Sequence, residues 1–306
     1  MLLGCTHEPS AKGPPSAAAR ALVDQDFPNG RAAIEAVMKG SHRSPGAADR
    51  DRYRHPAETL SFFGFAPTMT VLDIGPGAGD VVRGSGVLGV VLGYYTELLA
   101  PALAKDGLYI ATNREPPRSA PAPSAHHWTE YEGVRFDELL RAAPEVYGKV
   151  QVVRVDYGAP KLNLDARVDL VLLMREVHMM KNWGTLDAWL REIHRALKPN
   201  GVLGVEEHRA APGADPEASV KKGYLPEAWV IAKIEAAGFA LAGKSEVNAN
   251  PRDTKDYPNG VWSLPPSFQV GPDYSSASAP DPKYAAIGES DRMTLKFVKV
   301  AGGTAP

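Results

Sequence analysis

The chain has 306 residues, of which 44% are hydrophobic and 23% are charged, and its net charge at pH 7 is -2. This length allows one large domain or two small ones with a sizeable core. The nearly balanced charge excludes a strongly basic surface for nucleic acid or an anionic membrane, so small molecules or proteins are the expected partners.

The first 20 residues contain the single cysteine of the chain, Cys5, which excludes intramolecular disulfides and cysteine-clustered metal sites. Residues 1–20 are rich in proline, alanine and serine and predict a flexible leader. The run Leu2-Leu3-Gly4-Cys5 is similar to the end of a bacterial lipoprotein signal. On that interpretation Cys5 carries a lipid anchor in the periplasm; otherwise the protein is cytoplasmic. No segment reaches the roughly 20 unbroken apolar residues of a transmembrane helix.

Residues 21–67 predict a helical N-terminal cap. A helical pattern over Ala21–Met38 is interrupted near Pro28, and Pro56 suits the first turn of a helix that runs to about Phe63. Between these helices, residues 49–56 are crowded with arginine, aspartate and histidine. Two interpretations stay open for them: a solvated surface linked by ion pairs, or a segment that covers a ligand site.

The most informative stretch is Val71–Asp80, with the sequence V-L-D-I-G-P-G-A-G-D. A buried strand leads there into a glycine turn, where missing side chains let a ligand approach main-chain N–H groups. A nicotinamide-binding turn would have the spacing G-x-G-x-x-G instead. The turn therefore indicates a different small, charged cofactor.

An unusual insert, residues 80–93, follows where a helix is expected to begin at once. Its four glycines oppose a stable helix, so it forms a loop or a small hairpin.

The rest of the chain alternates between strands and helices. The predicted strands span 108–112, 150–155, 168–174, 202–207, 239–247 and 293–300, and the predicted helices span 94–103, 136–142, 186–197 and 226–237. This alternation predicts an α/β domain over residues 68–300, with a mostly parallel sheet between two layers of helices.

The glycine turn, together with the helix, turn and strand over Leu190–Gly204, is similar to class I S-adenosylmethionine (SAM)-dependent methyltransferases. Five further stretches resemble a group of bacterial predicted methyltransferases, many of them exported, whose substrates are unknown: Asp51–Pro56, Glu207–Ala210, Asn248–Pro258, Gly260–Trp262 and Ser290–Thr294. The resemblance covers about residues 42–300. It implies a Rossmann-like fold with a seven-stranded sheet, and SAM as the cofactor.

The resemblance also implies which residues bind SAM: Asp73, Gly75, Gly77 and Gly79 at its amino acid end, Asn113 at the ribose, and Asp156 at the adenine amino group. An acid is usual in the family where Asn113 stands, and Glu115 is the alternative for that contact. Replacement of Gly77 by valine is expected to abolish SAM binding by steric exclusion.

Methyl transfer is an in-line displacement, so the protein mainly positions the reactants and, for some acceptors, removes a proton. The resemblance places Arg175 and His178 beside the methyl group. His178 and His208 are candidate bases, because histidine titrates near pH ~6.5; for each, a hydrogen-bonded structural role is the alternative. Glu207 ends a buried strand, and we expect Arg209 or Arg175 to pair with it.

His178, His208 and Glu207 also suggest a metal site, but the sequence has no H-x-x-x-H spacing to support one, so we predict no metal. The predicted function is a SAM-dependent methyltransferase that acts on a small molecule. The alternative is a catalytically inactive SAM-fold protein that serves as a binding or interaction module, which the insert and Asn113 motivate.

Overall fold

The computed structural model describes residues 17–76, 80–82, 89–91, 93–114, 136–138, 140–270, 275–276 and 281–300. Its strands are β1 Thr70–Ile74, β2 Asp80–Val82, β3 Gly89–Val91, β4 Leu108–Arg114, β5 Gln151–Val155, β6 Val168–Met174, β7 Leu197–His208, β8 Phe239–Ser245, β9 Gln269–Val270, β10 Ser275–Ser276 and β11 Arg292–Lys299.

Seven of these strands form one sheet in the order β5-β4-β1-β6-β7-β11-β8, in which β11 alone runs antiparallel to its neighbours. Strands β4 and β5 lie on one side of β1, whereas β6 and the later strands lie on the other. The strand order therefore reverses at β1, and ligands of open α/β sheets bind at the carboxyl ends of the strands beside such a point.

Helices cover both faces of the sheet. They are α1 Ala17–Val23, α2 Gly30–Val37, α3 Pro45–Ala48, α4 Asp51–Arg54, α5 Pro56–Phe63, α6 Thr96–Leu103, α7 Pro144–Tyr147, α8 Val177–Asn182, α9 Leu186–Ala196, α10 Pro216–Ser219, α11 Glu227–Ala236 and α12 Pro282–Ile287. Further helical residues lie at 136–138 and 140–142. The predicted α/β, Rossmann-like fold with a seven-stranded, mostly parallel sheet and helices on both faces is confirmed.

The two faces have separate hydrophobic cores because side chains alternate along each strand. The face that we call the α6 face carries Val71 and Leu172 and packs against α2, α5 and α6. The opposite face, here the α9 face, carries Leu72 and Leu173 and packs against α8, α9 and α11. Central strand β6 is apolar on both sides, as a strand between two helical layers requires.

Strand β7 begins earlier than predicted, at Leu197 instead of residue 202. Val168 pairs with Leu197 and Leu170 with Val202, so the register shifts and the turn residues between them are absorbed as a bulge. Asn200 has a φ of 62°, which an asparagine tolerates better than most residues. The N-terminal region also differs from the prediction, because α1 begins at Ala17, inside the predicted leader of residues 1–20.

The described part of the insert 80–93 is a hairpin, because β2 and β3 pair antiparallel with Asp80 opposite Val91. This selects one of the two predicted alternatives for those residues. Among the helices that the structure describes, none combines the length and apolar character needed to cross a bilayer.

Candidate functional site

The end of β1 delivers Asp73 and Gly75 to the carboxyl edge of the sheet. The Asp73 side chain is buried and accepts a hydrogen bond from the Tyr109 hydroxyl at 2.8 Å. Burial raises the pKa of Asp73 to about 7, against the opposing effects of the Tyr109 hydrogen bond and the Arg175 charge. The predicted cofactor residues Gly77 and Gly79 lie outside the described residues.

Gly75 has a φ of 62°, which glycine adopts without steric cost. A Cβ atom at Gly75 would lie 2.7 Å from the carboxyl carbon of Glu176, so the missing side chain is required here. Its N–H donates to the Thr112 Oγ1 atom at 2.9 Å. The Gly75 amide therefore has a partner within the protein, and Gly75 contributes its conformation and its small size to the turn; its contact with a cofactor stays a prediction.

The ends of β4 and β5 lie on the side of β1 away from β6. Asn113 is buried, and its side-chain amide donates to Asp137 Oδ1 at 3.2 Å. A carboxylate therefore stands beside the asparagine, supplied by a later segment of the chain, whereas Glu115 lies outside the described residues. Asp156 follows β5, is exposed, and accepts a hydrogen bond from the Gly158 N–H at 2.8 Å.

Arg175 follows β6 and has a φ of 61°, a left-handed conformation that costs about 1–3 kcal/mol for a residue with a Cβ atom. Two bonds to Glu206 hold it there: its N–H donates to the Glu206 carbonyl oxygen at 2.6 Å, and Nη1 donates to Oε1 at 2.9 Å. Strain of this kind concentrates at ligand sites. The strained residue is one of the predicted site residues.

Glu206 is fully buried on the α6 face, where its carboxylate also accepts bonds from Arg292 Nη1 at 2.8 Å and the Tyr95 hydroxyl at 3.1 Å. A second acid, Glu289, lies beside it. We call this group the arginine cluster; its members are Arg50, Arg54, Arg175, Arg292, Glu206 and Glu289. Burial alone would raise the pKa of Glu289, but the charges of Arg50 and Arg292 hold it below its ordinary value.

The arginine cluster decides between the two interpretations of residues 49–56. Arg50 and Arg54 are 7% and 1% exposed, and they contact Glu289 at 2.7 and 3.1 Å. The solvated-surface interpretation is therefore wrong for these two arginines, because they lie under other parts of the chain at the carboxyl edge of the sheet.

Glu207 is also fully buried, but it has different partners. Its carboxylate accepts bonds from His178 Nδ1 at 2.9 Å, from the His178 N–H at 3.0 Å and from the His208 N–H at 2.7 Å. The expected pairing of Glu207 with Arg175 or Arg209 is wrong. Arg175 binds the preceding glutamate, and Arg209 binds other acids, Glu227, Glu246 and Asp291.

The two predicted histidines lie together, with ring centroids 5.2 Å apart. His208 Nδ1 lies 2.6 Å from the Ser290 hydroxyl, and the Trp262 ring lies 6.0 Å from that of His178. Desolvation lowers the pKa of His208 well below its ordinary value, and the nearby His178 lowers it further. His208 is therefore neutral at physiological pH and has a lone pair for a proton or a ligand.

One ring nitrogen of each histidine and one oxygen of Glu207 lie within 4.8 Å of one another. We call these three residues the histidine cluster. The missing H-x-x-x-H spacing does not argue against a metal in the histidine cluster. That spacing applies to two ligands on one helix, whereas these ligands come from the start of α8 and the end of β7. The absence of a metal stays a prediction.

The structure thus brings Asp73, Gly75, Arg175, His178 and His208 to one edge, at the carboxyl ends of β1, β6 and β7. Sequence reasoning missed the site contacts of Glu206, Tyr109 and Ser290. The contacts of Glu206 could have been expected from its position. It is one of two consecutive glutamates at the end of an apolar strand, and alternating side chains point such a pair to opposite faces of the sheet. Two cavities among the described residues lie elsewhere. One is beside α9, and the other is next to α2 and the start of β1.

No family model matches the sequence, and no curated protein matches it. Several solved structures are similar to it. A SAM-dependent methyltransferase from Aquifex aeolicus is 18% identical over 84% of this chain and 94% of that protein, with a TM-score of 0.46. The cyclase SpnF is 19% identical over 86% of this chain and 86% of that protein, with a TM-score of 0.49. A 1,6-didemethyltoxoflavin N1-methyltransferase from Burkholderia thailandensis, solved with S-adenosylhomocysteine, is 16% identical over 84% of this chain and 82% of that protein, with a TM-score of 0.43.

Proposed function

We propose that the protein is a SAM-dependent methyltransferase with a small-molecule acceptor. The observation that carries the proposal is the left-handed Gly75 at the carboxyl end of β1, where the strand order reverses, with the histidine cluster on the same edge of the sheet. Ligands of α/β sheets bind at this position. The spacing of the glycines favours SAM over a dinucleotide.

In this proposal SAM lies across the ends of β1, β4 and β5. Its amino acid end contacts the turn of Asp73, Gly75, Gly77 and Gly79, its ribose contacts Asn113, and its adenine contacts Asp156. The contact between Asn113 and Asp137 supports the ribose assignment, since Asp137 supplies the acid that Asn113 itself lacks.

During transfer, a lone pair of the acceptor forms a bond to the methyl carbon while the electron pair of the breaking sulfur–carbon bond returns to sulfur, leaving S-adenosylhomocysteine. The acceptor also loses a proton, which the histidine cluster receives. Glu207 fixes the orientation of the His178 ring through Nδ1, and the low pKa of His208 keeps that ring neutral. Arg175, held by Glu206, positions the acceptor.

Calorimetric titration with SAM and S-adenosylhomocysteine tests the first part of the proposal, with NADH as the control ligand. We expect one equivalent of each adenosyl ligand to bind and NADH not to bind. A screen of alcohols, phenols and amines for release of S-adenosylhomocysteine then tests catalysis. Tight binding of NADH without binding of SAM would refute the proposal, and binding without transfer to any acceptor would reduce it to a SAM-binding protein.

A further inference from the structure

Glu207 is a buried carboxylate that forms no ion pair with a lysine or arginine in the part of the chain that the structure describes. Its partners there are two backbone N–H groups and the ring of His178. Buried carboxylates are normally paired with a cationic side chain or bound to a metal ion. The adjacent Glu206 shows the usual solution, because Arg175 and Arg292 contact it directly.

We propose that His178, Glu207 and His208 bind a divalent transition-metal ion of the Zn²⁺ class. Two imidazoles and one carboxylate form a donor set that Zn²⁺ uses at catalytic sites, with a further position left for water or substrate. The three ligand atoms lie within 4.8 Å of one another before any ion is present. Nδ1 of His178 and Oε1 of Glu207 are 2.9 Å apart across a hydrogen bond, and loss of the proton between them would free both atoms to bind one ion.

The surroundings of the cluster also fit a metal site. Ligating histidines usually use their second nitrogen in a hydrogen bond that fixes the ring. His208 has such a bond, from Nδ1 to the Ser290 hydroxyl at 2.6 Å, which leaves Nε2 as the ligand atom. Trp262 and Tyr224 place aromatic rings 6.0 and 6.3 Å from the two imidazoles and reduce the access of water.

The role of the ion, unlike its binding, rests on the proposed methyltransferase function. A metal-bound hydroxyl group loses its proton more readily than a free one, so the ion would activate an acceptor oxygen next to the methyl group. The proton is then released to water instead of to a histidine nitrogen, and the acceptor oxygen supplies the electron pair for the new bond. This identifies alcohols and phenols as the expected class of acceptors.

The test is a titration of the metal-free, full-length protein with Co²⁺ and, in parallel, with Zn²⁺. We expect one equivalent of Co²⁺ to produce a visible absorption band and to quench the part of the tryptophan fluorescence that comes from Trp262. Added Zn²⁺ should displace the Co²⁺ and reverse both changes. His178→Ala and His208→Ala should each weaken Co²⁺ binding at least about 100-fold. Ser290→Ala, which keeps all three ligands, should weaken it about tenfold.

The matched control is His194→Ala, which removes an imidazole that is buried like that of His178 but contacts Phe239 edge-on instead of joining the cluster. Circular dichroism checks that each variant is folded. Failure to bind one equivalent of Co²⁺, or equal Co²⁺ affinity in the His178, His208 and His194 variants, would overturn the metal site. Binding of SAM is measured separately, so a protein that binds Co²⁺ but not SAM would refute the proposed function and leave the metal site intact.

Discussion

Two consecutive residues of β7, Glu206 and Glu207, end up on opposite faces of the sheet with unlike partners. Glu206 on the α6 face is bound by Arg175 and Arg292, whereas Glu207 on the α9 face is bound by His178 and by backbone N–H groups. Guanidinium groups stay charged at every physiological pH, but imidazoles exchange protons and bind metals. At the end of β7, the surroundings of Glu206 are therefore suited to fixed structure and those of Glu207 to proton or metal chemistry.

The largest expected effect comes from Glu206→Gln. Removal of its charge takes one acid away from Arg175 and from buried Arg292, while Glu289 still contacts Arg292, so the free energy of unfolding should fall by about 3–5 kcal/mol. Urea denaturation measures this change. Glu207→Gln is the comparison and should destabilise the protein by clearly less, since no guanidinium depends on it. Equal losses in the two variants would show that the faces do not differ as described.

Next in size is the effect of His178→Ala on turnover. Loss of the ring that Glu207 orients should lower the rate of methyl transfer at least about 100-fold, while the Kd for SAM changes less than about twofold. Initial rates and calorimetry separate the two quantities. His194→Ala serves as the control for loss of a buried ring, and a similar rate loss in that variant would contradict a specific role for His178.

Gly75→Ala tests the turn that adjoins both faces. The left-handed φ should reduce stability by about 1–2 kcal/mol, and the new Cβ must also displace the Glu176 carboxylate. Gly184→Ala is a matched control, because Gly184 has a φ of 70° and a Cβ added there would have no neighbouring atom within 4 Å. We expect weaker SAM binding in the Gly75 variant alone; unchanged affinity in both would remove the turn from the site.

The smallest effect is a pH dependence on the α6 face. With a pKa of about 7, Asp73 is mostly protonated at pH 6 and mostly ionised at pH 7.5, so SAM should bind about eightfold more tightly at the higher pH. Because the folded-state pKa is raised, the stability contributed by Asp73 is present below pH 3.8 and is lost as the pH rises through about 7. In Asp73→Asn, the ratio between the Kd values for SAM at pH 6 and pH 7.5 should be smaller than in the unchanged protein. Calorimetric titration at the two pH values measures this ratio, and any protonation of SAM itself affects both proteins equally.

The order of strands and helices could be predicted from the sequence, because buried strands such as β6 are apolar runs and helix α9 has a clear helical period. The burial of Arg50 and Arg54 could not. Arginines next to aspartates are usually exposed, and the acid that balances this pair, Glu289, is far away along the chain. The sequence suggested His178, His208 and Glu207 as a group, but the direct contact of His178 with Glu207 could not be predicted, since local spacing does not reveal contacts between separate elements.

The long-range pairing of Arg50 with Glu289 joins residues 239 positions apart. During synthesis from the N-terminus, Arg50 and Arg54 leave the ribosome long before Glu289 has been made. The segment that covers the carboxyl edge is therefore expected to complete its packing only once Glu289 and β11 have been made, so this edge closes later than the pairing of strands β1 to β7 allows.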